Sequence, residues 1–271
     1  MSTREARIIC ILEETASFAR RLGTVHLVDI QPDQAMIVTE EILGQPLDVP
    51  LHSEYRRQPG TRCLAALFLA GKWLSGFQQI SYGEEDSILI GKHSPHDLVE
   101  YCGIRLRKLQ SLQYRWVTDE RREHVMEAVA TLRSQADNLE QERVWCHGDY
   151  TPGNMIWDGR TLTPIDFTTA NLGVPLLDVT YFIHRLEMQR TYFPWKYWPL
   201  EVWRRAFLRG YGRPDAEQSP MYRALMIRHL LCRLLTYIRR PPKNMKQRLH
   251  NKWVRFCVRR ELLSRTDTVV N

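Results

Sequence analysis

The 271-residue chain has no apolar run approaching the ~18 residues that a membrane-spanning helix needs. Its most apolar late stretch, Leu230 to Ile238, is broken by Arg233. The opening Met1-Ser2-Thr3-Arg4-Glu5 lacks the apolar segment of a secretory signal. Cysteine is sparse, with six residues and no C-x-x-C pair. Zinc ribbons and dithiol redox chemistry therefore have no support, and reduced, mostly buried thiols in a cytoplasmic protein are expected. There is no internal repeat and no low-complexity tract. With 44% hydrophobic and 25% charged residues, global disorder is excluded and a sizeable core is expected.

Acidic residues are scarce at one end. Residues 201–271 hold 17 Lys or Arg against 5 Asp or Glu, whereas residues 1–200 hold 21 against 26. The basic quarter is either the solvated face of helices or a surface for an anionic partner. No nucleic-acid-binding motif accompanies the charge, which argues against nucleic acid. Between Phe193 and Trp203, five aromatics fall within eleven residues. Core packing between helices is one reading; a substrate wall or peripheral contact with the inner membrane surface is the other.

Apolar spacing predicts helices over 4–22, 62–79, 97–112 and 119–142, and a mostly helical chain from about 176. Val25–Ile30 and Ala35–Glu40 read as a hairpin, followed by a Gly/Pro-punctuated linker, Glu41 to Leu47. Residues 48–61 and 80–96 read as loops. Val144 to His147 reads as a short buried strand, and Met155–Trp157 with Leu162–Ile165 as a hairpin about Asp158-Gly159.

The chemistry gathers after that buried strand, in His147-Gly148-Asp149-Tyr150-Thr151-Pro152-Gly153-Asn154. Asp166 closes the hairpin that Asn154 opens, so the two should be neighbours, with Asp149 just upstream. Two carboxylates and an amide at strand ends make a hard, oxygen-rich site suited to Mg²⁺. In protein kinases, H-R-D-x-x-x-x-N sets a catalytic Asp and a metal-binding Asn at this same spacing, with a later Asp on the metal. Gly148 stands in place of the Arg, which favours a small-molecule kinase over a protein kinase.

The whole series, from His147-Gly148-Asp149 through Asn154 and Ile165-Asp166 to Gly173 and Asp178, resembles the motif of the aminoglycoside phosphotransferase and choline kinase-like family. The resemblance is tight over about 40 residues and looser back to residue 4. It implies an α+β, protein-kinase-like two-lobe fold with a truncated N-lobe (1–47) and a mainly helical C-lobe (48–271). It implies ATP and Mg²⁺ as cofactors, and a small-molecule alcohol such as a sugar, amino alcohol or lipid-linked head group as partner. On this reading Asp149 is the catalytic base, and Asn154 and Asp166 hold the metal. His147 and Asp178 support the catalytic loop. Glu5 is the helix carboxylate that pairs with a phosphate-binding lysine, and Glu40 and Ile42 flank the hinge that reads adenine. His184 and His229 read as ordinary helix residues.

The sequence departs from the family in one respect. The glycine-rich loop and strand lysine that should precede the Glu5 helix are missing, and Lys72 lies too late to replace them. A truncated gene product, a true short variant and a non-catalytic kinase-like binding protein using its basic helical face all accommodate this.

Overall fold

The computed structural model describes residues 2–14, 22–34, 36–53, 60–83, 95–136, 138 and 142–270. Helix α1 (Ser2–Glu14) buries Ala6, Ile8, Ile9 and Leu12, a one-sided stripe at helical spacing. It is described over less than the expected 4–22, because residues 15–21 lie outside the described residues. Strands β1 (Leu27–Gln31) and β2 (Met36–Thr39) pair antiparallel around a one-turn 3₁₀ segment, Pro32–Gln34. Before β1, the Gly23 N–H donates to the carbonyl of Leu162 at 2.8 Å, fastening this N-terminal part to the later hairpin.

The linker after β2 contains β3 (Gln45–Pro46), which had read as plain connection. Residues 48–61, expected as a loop, open with the short helix α2 (Asp48–Ser53). Asp48 suits its positive N-terminal end, and Pro50 is tolerated because first-turn N–H groups have no intrahelical partner. Helices α3 (Thr61–Gln78), α4 (Pro95–Ser111) and α5 (Asp119–Ser134) follow. α5 starts where Thr118 Oγ1 accepts from the Arg121 N–H at 3.2 Å. It ends eight residues before the expected 142, since the polar Ser134, Gln135, Asp137 and Asn138 follow its last buried residue, Leu132.

Three short pieces of sheet then carry the loop of interest. β4 (Val144–Cys146) pairs antiparallel with β7 (Asn171–Gly173), a strand the sequence did not announce. β5 (Met155–Trp157) and β6 (Leu162–Pro164) form the expected hairpin, and β3 adds to its β5 edge. The hairpin turn is locked by Asp158, whose Oδ1 accepts from the N–H groups of Arg160 and Thr161 at 2.6 and 2.7 Å.

Helices α6 (Leu176–Tyr192), α7 (Leu200–Tyr211), α8 (Pro220–Arg239) and α9 (Met245–Val270) complete the chain. α3 and α7 cross at very close range. A Cβ on Gly71 would sit 2.1 Å from the Phe207 carbonyl oxygen, and one on Gly210 would sit 1.9 Å from that of Phe68. α8 is buried on several sides, while α9 turns inward only Asn251, Val254, Val258, Leu262 and Thr266. Most α9 arginines and lysines therefore lie off its buried stripe, as the solvated-face reading expects. The aromatic run divides in two. Trp198 and Trp203 are buried, whereas Trp195 and Tyr197 are 76% and 66% exposed. No helix among the described residues is long and apolar enough to cross a membrane.

Candidate active site

The loop from His147 to Asn154 rests on an aromatic floor. Tyr150 donates its hydroxyl to the Ala70 carbonyl on α3 at 2.7 Å, and its ring lies 5.9 Å from that of Trp73. Phe167 packs against Trp73 and stands 4.7 Å from the His147 ring. All four of these side chains are fully or almost fully buried. The α3 helix thus fixes the height of the loop.

Asp178, in the first turn of α6, fixes its path. One carboxylate oxygen accepts from the His147 N–H at 2.6 Å and the other from the Gly148 N–H at 3.0 Å. Burial pushes its carboxyl up to about 7, while those two N–H groups and Arg228 pull the other way. With both oxygens accepting, the ionised form is the one the geometry serves. Gly148 itself has φ +84°, and a Cβ there would lie 2.3 Å from the Thr169 carbonyl oxygen. The residue that had read only as a missing arginine is a position where a side chain does not fit.

His147 is fully buried. Its Nε2 lies 3.0 Å from the Ile165 carbonyl, which can only accept, so Nε2 carries the proton. Its Nδ1 has no hydrogen-bond partner among the described residues. Burial lowers this histidine to about 4 despite the Ile165 bond and the nearby Asp149 and Asp166. It is a neutral tie between the loop and the hairpin.

Asn154 and Asp166 come together as the hairpin geometry requires. Met155 pairs with Pro164, and the Ile165 N–H donates to the Asn154 carbonyl at 2.9 Å, so Ile165 stands opposite Asn154 and Asp166 is the next residue along. The Asn154 amide donates through Nδ2 to both the carbonyl and the Oδ2 of Asp149, each at 3.0 Å. Its Oδ1 has no hydrogen bond among the described residues. Asp166 sits at φ +64° and is exposed; its Oδ1 accepts from Thr168 Oγ1 at 2.5 Å, and its Oδ2 makes no hydrogen bond among the described residues. One amide oxygen and one carboxylate oxygen at adjoining hairpin positions are thus left open. That donor set fits a hard cation that completes its shell with water and phosphate. No three His, Cys, Asp or Glu side chains converge as a metal cage among the described residues.

Glu5 reaches this same corner. Its Oε1 accepts from the Phe167 N–H at 3.2 Å, one residue beyond Asp166. Burial and the Asp166 charge raise its carboxyl, while the Phe167 bond lowers it. Its described partner is this backbone group rather than a lysine. Glu40 is exposed, its N–H donating to the His26 carbonyl at 3.0 Å. Ile42 packs against the core. Both flank the connection that leads from β2 into β3, beside the hairpin.

Sequence reasoning missed Tyr181, whose phenol is pushed up by burial and by the charge of the nearby Asp149. The signal was available, because Tyr181 lies three residues after Asp178 and therefore on the same helical face. It also missed a cleft of about 240 Å³ beside the loop, lined by Gly148, Asp178, Tyr181, Arg228 and Arg233. His184 and His229, expected as ordinary helix residues, line it as well.

The model of the phosphotransferase enzyme family (APH) matches residues 5–225. No curated protein matches the chain. A choline/ethanolamine kinase family protein from Mesorhizobium loti superposes with a TM-score of 0.59 at 13% identity, covering 99% of this chain and 83% of that one. An ethanolamine kinase from Plasmodium vivax gives 0.61 at 15%, covering 97% and 73%. An ADP-bound aminoglycoside phosphotransferase gives 0.58 at 14%, covering 93% and 81%. At such identities these likenesses establish the architecture: a kinase-like α+β fold with a small N-lobe and a mainly helical C-lobe. With the motif residues gathered on one loop and one hairpin, and more than half the chain matched, the protein belongs to the phosphotransferase enzyme family.

Proposed function

We propose that the chain is an ATP- and Mg²⁺-dependent phosphotransferase that moves the γ-phosphoryl group of ATP to a hydroxyl of a small molecule. The carrying observation is the Asp149–Asn154 pair. Asn154 spends its amide hydrogens on Asp149 and leaves its oxygen for a cation, with Asp166 at an adjoining position of the hairpin. Asp149 is only partly buried, with one face held by Asn154 and the Tyr181 side chain nearby. The kinase and phosphotransferase activities named for the structural relatives support the same reading.

Asp149 orients the acceptor hydroxyl and takes its proton as the oxygen attacks the γ-phosphorus. The bond from that phosphorus to the bridging oxygen breaks, and ADP leaves with the electron pair. When bound, Mg²⁺ neutralises the phosphate charge that builds during transfer. Asn154 and Asp166 are the residues that would hold it. Glu5, anchored on the Phe167 N–H, keeps α1 against that corner, and the backbone near Glu40 and Ile42 offers the adenine contact. Asp178 and His147 hold the loop in register.

Labelled-phosphate transfer to a panel of alcohols tests this reading. Asp149→Asn should lower transfer about 10²–10⁴-fold while leaving the circular dichroism spectrum and melting temperature close to wild type. Unchanged transfer in that variant would sink the assignment.

A further inference from the structure

The cleft beside the catalytic loop has a definite electrical character. Its wall on α8 carries Arg228 and Arg233, and the one acid among its lining residues is Asp178. Both oxygens of Asp178 are already taken by backbone N–H groups. Arg233 is half-buried, and its Nε has no hydrogen-bond partner among the described residues; the same holds for the buried Nε2 of His184.

Arg228 is held rigidly. Its guanidinium carbon lies 4.6 Å from the centre of the Tyr101 ring, and its Nη1 donates to His229 Nδ1 at 3.0 Å. Since arginine can only donate, His229 is neutral there, and its Nε2–H donates onward to Thr180 Oγ1 at 3.0 Å. Thr180 in turn donates to the Leu176 carbonyl. This relay ties the arginine to the same turn of α6 that carries Asp178.

The cleft does not end there. Tyr101, Cys232 and Thr236 also line a second depression of about 500 Å³, whose other lining residues include Arg105, Arg239 and Arg240. The path leads from Tyr181, which lies near enough to Asp149 to feel its charge, past five arginines to the surface. A cationic amine would meet positive potential along its length, with no unengaged carboxylate in the described lining to receive it.

We infer that this cleft is the acceptor pocket and that it takes an alcohol bearing a phosphate or carboxylate group, the anion on Arg228 and Arg233 and the hydroxyl toward Tyr181 and Asp149. The inference rests on the phosphotransferase reading for its chemistry. It can be tested without turnover, so the two can fail separately.

Binding is measured by calorimetry on the full chain, without ATP or metal. The probes are sn-glycerol 3-phosphate, glycerol and choline, with phosphatidylglycerol vesicles as the lipid-borne form of the same head group. The anionic probe should bind at least about tenfold more tightly than glycerol or choline, and Arg233→Gln should remove most of that advantage. Arg239→Gln, at the exposed outer end, should weaken it less and provides the comparison if Arg233→Gln does not fold. Response to the vesicles alone, lost with the same arginine, would identify a lipid-borne acceptor. Choline binding that exceeds glycerol 3-phosphate binding, no binding of any anionic probe, or anion binding indifferent to both substitutions would overturn the inference.

Discussion

Gly148 shows how much of the loop depends on one backbone geometry. Its positive φ turns the chain so that two successive N–H groups, those of His147 and Gly148, face the Asp178 carboxylate. Alanine there would add αL strain and a contact with the Thr169 carbonyl, about 1–3 kcal/mol together. Gly148→Ala should therefore lower both melting temperature and phosphoryl transfer; a variant with wild-type transfer would show that the turn is not required. His147 gives a pH signature. Its neutral form is the folded one, lowered to about 4, whereas an unfolded histidine takes up a proton near its ordinary value of 6.5. The unfolded state then binds more protons as pH falls from 6.5 toward 4, so this histidine's contribution to stability is lost across that window. The loss should be about 2–3 kcal/mol by pH 4.5. Urea denaturation at pH 7 and 4.5 should show wild type losing more stability than His147→Gln by that amount. Equal losses would contradict the burial argument. Asp178, raised by burial, works in the opposite sense in the same window and is common to both proteins.

At the scale of elements, the site is built by packing rather than by the loop alone. α3 carries Ala70 and Trp73, which support Tyr150 and Phe167, and α3 is itself positioned by its close crossing with α7. The glycines at that crossing allow helix backbone to meet helix backbone. Gly71→Ala or Gly210→Ala should cost about 1–3 kcal/mol or more by overpacking. Denaturant titration checks this, and a neutral substitution at both sites would mean that the helices slide apart freely. These elements were legible unequally in the sequence. α3 was readable to within a residue because Leu67, Trp73, Leu74 and Phe77 repeat at helical spacing. The β5–β6 hairpin was readable because Asp-Gly is a strong turn signal. β3 and β7 were not, since two- and three-residue strands carry no period to detect and are specified by their partners across the sheet. α2 was hidden by Pro50 and by its single buried residue, Leu51.

Across the whole molecule, the basic C-terminal quarter resolves into two populations that composition could not separate. Most α9 charges lie off its buried stripe, while Arg228 and Arg233 on α8 turn toward the catalytic loop. Arg233 had been visible only as an interruption of an apolar run; what it faces is a tertiary fact. The candidate site residues were legible because one loop and one hairpin keep Asp149, Asn154 and Asp166 within 18 residues of sequence. The arginine wall was not, because α4, α6 and α8 bring it to the loop from distant parts of the chain.

In the proposed metal–nucleotide site, Asn154, Asp166 and Glu5 mark the end reached from the Asp149 loop. Calorimetric titration of the chain with ATP, with and without Mg²⁺, tests it most directly. Binding should depend on Mg²⁺ and lose that dependence in Asp166→Ala, with folding intact. Failure to bind ATP under either condition, or binding that ignores both the metal and Asp166, would contradict it.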